Sequence, residues 1–167
     1  MGGALYSALN GEGINLVYDP KAVNPVYNMT TNTLTLKDLD NYHTLVHEMI
    51  HAYQDKELSS TYIGNNRANL EVEAFMARHL ILKREHPPGT EFRGSSEFMQ
   101  KVVDLEDLMD SNCNVREENS VKFYEKYTEA IDAYRTEYKS RFKQECTFSK
   151  NEEDMNLNRL KELSKDC

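Results

Sequence analysis

His47, Glu48 and His51 stand together in the run His47-Glu48-Met49-Ile50-His51, an HExxH pattern. If the run is helical, the two histidines lie about one turn apart on one side, and both imidazoles can reach a single ion. Zinc accepts that arrangement, with each nitrogen roughly 2.0–2.1 Å from the metal and positions left for a third protein ligand and a water. Glu48 follows His47 by about 100° round the helix. Its carboxylate then falls beside a metal-bound water rather than on the ion, which is the place of a general base. A shuffled chain of this composition would contain the pattern roughly 1–2% of the time, so its weight comes from its setting in a helix. Met49, Ile50 and Tyr53 supply the apolar side of that helix and leave the histidines and the glutamate on the other. His43 adds one more rung to the ladder, but three rungs span roughly 12 Å, too far for one ion. It is expected to be exposed or to sit behind the ligands.

A third ligand has to come from elsewhere. Asn69-Leu70-Glu71-Val72-Glu73-Ala74 offers two carboxylates, about 200° apart on a helix, so at most one can face the ion. At this point the sequence resembles the zincin metallopeptidases of the gluzincin branch, in which HExxH on one helix is completed by a glutamate on a later helix, often in an E-x-x-A pattern. Glu71-Val72-Glu73-Ala74 matches that pattern; the resemblance implies Glu71 as the third ligand, with Glu73 as the fallback. Thr33-Leu34-Thr35-Leu36, followed by Tyr42 to Tyr53, is also similar to small bacterial zincins and zincin-type toxins, where an edge strand precedes the metal helix.

The likeness covers about residues 14–84. Many gluzincins carry Asp four residues beyond the ligand glutamate, and this chain has Phe75 there. The acceptor for the other N–H of a zinc-bound imidazole then falls to Glu73, Asp55, a backbone carbonyl or water. The family also implies a residue that stabilises the oxyanion, for which His79, Arg78, Tyr53 and Tyr62 are candidates. What the resemblance implies as a whole is zinc-dependent hydrolysis of a peptide or protein substrate, by an endopeptidase more than an exopeptidase, with Glu48 as general base. An extended peptide would add to the sheet edge above the metal. Two rival readings stand beside it: an inert zincin-like binding module whose tyrosine-rich helix is the contact surface, and a secreted effector or toxin protease with one narrow target.

The elements that must position these residues follow from periodicity. Residues 14–18 read as a short strand ending at Asp19-Pro20, and 26–36 as a hairpin around Thr30-Thr31-Asn32 with Leu34 and Leu36 on one face. From 39 to 58 apolar residues recur at three and four, the mark of an amphipathic helix around the motif. A second helix is predicted over 69–84, stopping before Pro87-Pro88-Gly89, and three more helical patterns at 97–110, 118–145 and 153–164. In the longest of these, Tyr124, Tyr127, Ile131, Tyr134, Tyr138 and Phe142 form a stripe whose hydroxyls need partners even where the rings are buried. The fold class is α+β and mainly helical: a zincin-like core over 1–90, then a helical C-terminal part over 95–167 packed on it.

Composition agrees. The chain has 167 residues and a formal net charge of −8, enough for one ordinary core and unfavourable for a nucleic-acid partner, whose affinity is carried by cationic side chains. No apolar run approaches the roughly 20 residues of a membrane span. The N-terminus shows neither a secretion signal nor a myristoylation site; an exported or secreted protein with its signal absent from this chain is the favoured expectation, and a cytoplasmic one the alternative. Cys113, Cys146 and Cys167 form no CxxC pair; scattered thiols are expected, with a Cys113–Cys146 bridge as the alternative.

Overall fold

The computed structural model describes residues 9, 11, 13–38, 41–85, 96–110 and 114–142. It is α+β and mainly helical, as the patterning predicts. Three short strands, β1 (Asn15–Tyr18), β2 (Val26–Asn28) and β3 (Thr33–Leu36), form one sheet in the order β1-β3-β2. β3 is central, parallel to β1 and antiparallel to β2, with Tyr27 opposite Leu34.

The predicted hairpin closes through local polar contacts. Asn28 Oδ1 accepts from the backbone N–H groups of Thr30 and Thr31 at 3.0 and 3.2 Å, and Asn32 adopts φ 45°, a left-handed conformation that asparagine tolerates. Strand alternation buries Leu34 and Leu36 beneath the sheet. β1 lies exposed along its length.

The motif helix, α1 (Tyr42–Glu57), starts where Asn41 caps it, its side chain accepting from Thr44 N at 3.0 Å. Leu39, the predicted first position, is outside the described residues. A short helix not expected from periodicity, α2 (Ser60–Asn65), follows; Ser59 Oγ caps it by accepting from Tyr62 N at 3.2 Å. Next comes α3 (Arg67–Glu85), two residues longer at its start than its apolar pattern. Ser96 caps α4 (Glu97–Glu106), and a single 3₁₀ turn at Glu117–Asn119 leads into α5 (Ser120–Phe142). The pattern at 153–164 and all three cysteines lie outside the described residues.

One hydrophobic core joins these helices. It runs from Val46, Ile50 and Tyr53 of α1 through Val72, Met76 and Ile81 of α3 to Val102 of α4 and Phe123, Tyr127 and Ile131 of α5. Residues of both predicted parts, 1–90 and 95–167, therefore share it. Of the tyrosine stripe, Tyr127 goes fully inside and Tyr124 stays exposed. The buried Tyr127 hydroxyl has its partner, accepting from Asn69 Nδ2 at 2.9 Å, which ties α5 to α3. No helix among the described residues is long and apolar enough to cross a membrane.

Candidate metal centre

Burial of Val46, Ile50 and Tyr53 sets the rotation of α1. His47, Glu48 and His51 are thereby turned to a cleft of about 1130 Å³, which Glu71 of α3 and residues of β2, α4 and α5 also line. Glu71 Oε2 lies 3.5 Å from His47 Nε2 and 3.4 Å from His51 Nε2, and the two Nε2 atoms are 3.1 Å apart. Donors placed tetrahedrally round an ion at roughly 2.0–2.1 Å are separated from one another by about 3.3–3.4 Å. The three side chains thus stand at the mutual spacing that one shared cation requires. His47, His51 and Glu71 are the group among the described residues able to hold a metal. His43 is exposed on the first turn of α1 and outside this group.

Glu73 takes a different role from Glu71. It is buried, and its Oε1 accepts from Gln54 Nε2 at 3.2 Å. The same Gln54 nitrogen donates to Leu70 O at 3.0 Å, while Gln54 Oε1 sits 2.8 Å from His51 Nδ1. Both Gln54 donor bonds point away from His51, so its oxygen must accept and His51 Nδ1 must carry a proton. This fixes the ring with Nε2 toward Glu71. Gln54 was not among the acceptors named from the sequence; it lies three residues beyond His51, one turn along α1, and only its cover by α3 makes it an internal residue. The other named acceptor, Asp55, instead takes a hydrogen bond from the Tyr27 hydroxyl at 2.9 Å. Gln54→Leu is expected to weaken metal binding by about 10–100-fold, the usual effect of losing an outer partner of a ligand, read by chelator competition on folded protein.

His47 differs: its Nδ1 is buried and has no hydrogen-bond partner among the described residues. Its ring packs on Phe75 with centroids 4.3 Å apart. Glu48 is held from the sheet, its Oε2 accepting from the backbone N–H of Tyr27 at 2.7 Å. This second contact carried no sequence signal, because a backbone donor has no residue type. Tyr27 shares its phenolic proton between Asn32 Oδ1 and Asp55 Oδ2, both at 2.9 Å; burial and Asp55 push that phenol up to about 12. β2 is thus fastened to α1 at two points.

Charge is unevenly distributed over the cluster. Burial disfavours ionisation of Glu71, but the imidazoles of His51 and His47 outweigh it and hold the carboxyl well below its ordinary range. Burial also opposes charge on His51, and Glu71 and Glu48 override it, raising the imidazolium to about 9. Burial, with the neighbouring His51 charge, lowers His47 to about 4. Glu48 is pushed up by burial, against the pull of His51 and the Tyr27 N–H.

In the metal-free protein, then, His51 carries one proton too many to be a ligand. That proton must leave when a cation binds. Apparent metal affinity is therefore expected to rise about tenfold per pH unit below about 9 and to level off above it. Chelator competition between pH 6 and 10 measures this, and an affinity flat from 6 to 8 would contradict it.

The four residues proposed as oxyanion partners separate by position. His79 Nε2 pairs with Glu106 at 2.7 Å, Tyr53 is in the core, and neither they nor Tyr62 line the cleft. Arg78 does. Comparison of the chain with protein-family models, with curated proteins and with solved structures gave no match in any of the three.

Proposed function

We propose that the protein is a metal-dependent peptide hydrolase, with His47, His51 and Glu71 as ligands, zinc as the metal and Glu48 as general base. The observation that carries this reading is the 3.1–3.5 Å triangle of His47 Nε2, His51 Nε2 and Glu71 Oε2, opening on a cleft that also holds a buried carboxylate. Two nitrogens and one carboxylate oxygen suit zinc, and three protein donors are the number usual for its catalytic sites. Bound there, zinc would supply a Lewis acid that polarises a carbonyl and lowers the pKa of water toward about 7.

The chain's own groups account for the rest. Glu48 lies one residue from a ligand, and burial raises its proton affinity toward the working range of a base. It takes a proton from water and returns it to the leaving amine. The Tyr27 N–H keeps one oxygen fixed, so the other is the one that moves protons. Gln54 keeps His51 in a single tautomer. An extended peptide lying along β2, the edge strand over α1, would present its amide to these groups.

About one zinc per chain is expected in protein purified without chelator, with hydrolysis of an unstructured peptide mixture that chelator abolishes and zinc restores. His51→Ala is expected to lose both. Stoichiometric zinc with no cleavage of any peptide would leave a binding module in place of an enzyme, and absence of zinc from freshly purified and zinc-dialysed protein would end the reading.

A further inference from the structure

Glu71, Phe75 and Arg78 follow one another on α3 at spacings of four and three, so they share one face of the helix, and all three line the cleft. Arg78 is half-buried. Its guanidinium carbon stands 4.5 Å from the centre of the Phe75 ring, and its Nη2 lies 3.6 Å from Met99 Sδ. Both neighbours are soft and uncharged.

Several of the buried or half-buried charges have opposite partners. Glu106 takes His79 and Lys83, Glu129 takes Lys101 and Lys126, and Glu71 takes two imidazoles. Among the described residues, no carboxylate lies within ion-pair distance of Arg78. Burial lowers its pKa to about 10, which still leaves it fully charged at neutral pH. A guanidinium that cannot discharge, partly stripped of water and facing a cleft, is stabilised when an anion enters.

The place of that cation relative to the metal cluster is set by Phe75, whose ring touches both the His47 imidazole and the Arg78 guanidinium. One aromatic ring therefore lies between Arg78 and the metal cluster, a position suited to a group one residue along the substrate. Arg67 and Arg141, with Arg78, match Glu48, Glu71 and Glu137 in number along this cleft, so nothing in the lining favours a dianion such as phosphate, and a carboxylate suffices to balance one guanidinium. The fork of N–H groups also matches a carboxylate's two oxygens.

We propose that Arg78 recognises a carboxylate of the substrate in this cleft and so positions the peptide on the metal cluster. The proposal rests on the hydrolytic reading above and adds the substrate class to it: peptides bearing a carboxylate next to the cleaved bond, from either a chain terminus or an acidic side chain.

Calorimetric titration of chelator-treated full-length protein tests it, with acetyl-Ala-Phe as free acid, its C-terminal amide, and acetyl-Asp-Phe amide. One of the two acids is expected to bind about ten- to a hundredfold more tightly than the neutral amide, as a charge-assisted pair warrants. Preference for the free acid identifies the terminus, and preference for the Asp peptide identifies the side chain. In Arg78→Gln the gap is expected to close to about twofold or less, with zinc stoichiometry and melting temperature unchanged. Should that variant not fold, Arg78→Lys, which keeps the charge and loses the fork, is expected to lose most of the gap. Equal binding of all three peptides, or a gap that survives in the variants, overturns the proposal. The two readings fail separately: a zinc-loaded, peptide-cleaving protein indifferent to carboxylates sinks only the role of Arg78, and a carboxylate-selective protein that holds no zinc sinks only the hydrolytic reading.

Discussion

Glu48→Gln is expected to keep its metal and to lose peptide hydrolysis by about 10²- to 10⁴-fold, the range that a positioned acid–base group contributes. The substitution is nearly isosteric. A glutamine oxygen can still accept from the Tyr27 N–H, the 2.7 Å contact that fastens β2 to α1, so the clasp between sheet and helix survives. What disappears is the proton-accepting carboxylate. Glu48 is only 8% exposed, and exchanging a buried, ionisable side chain for a neutral one also relieves its desolvation; the variant is expected to be no less stable than the parent. Metal content and turnover measured on one preparation check this. Retained activity would remove Glu48 from the mechanism, and lost metal would make it a ligand instead of a base.

Glu71→Ala and Glu73→Ala are expected to part company although they sit two residues apart. Among the described residues, Glu71 Oε2 is the carboxylate oxygen within reach of both imidazoles. Its loss leaves a two-nitrogen site, and metal affinity should fall by more than the roughly 10–100-fold that outer partners are worth. Without that carboxylate, His51 also loses the largest influence raising its pKa, so the proton cost of metal binding shrinks near neutral pH; the loss of affinity should be greater at pH 9 than at pH 7. Glu73→Ala removes a buried acceptor of Gln54 but leaves Leu70 O in place. It is expected to cost about 1–3 kcal/mol of stability, as for a buried hydrogen-bonded group, and to retain metal. Isothermal titration with zinc and denaturant unfolding of both variants decide the matter; metal lost only in Glu73→Ala would mean that the other carboxylate is the ligand.

The parts of this site that could be read from the chain are those with local periodicity. His47, Glu48 and His51 share one helix, where spacing dictates geometry, and the 200° between Glu71 and Glu73 already limits the ligand to one of them. Long-range contacts are different. Gln54 becomes an internal residue only because α3 covers it, and the Tyr27 N–H that grips Glu48 belongs to a strand 21 residues away. The six residues of α2 hold no apolar repeat, and their helix depends on the Ser59 cap. Leu39 extends the apolar pattern of α1 beyond its true start because a capping asparagine, not hydrophobic spacing, decides where the first turn begins.

The two imidazoles are not tethered alike. His51 is braced at its outer nitrogen by Gln54, and behind it by Glu73 and the carbonyl of Leu70. His47 rests against the Phe75 face, its outer nitrogen without a hydrogen-bond partner among the described residues. One ring is thus oriented by hydrogen bonds and the other by packing. A cation held by both rings would meet one ligand fixed by hydrogen bonds and one fixed by packing, so its rate of exchange is expected to respond to substitution of Phe75.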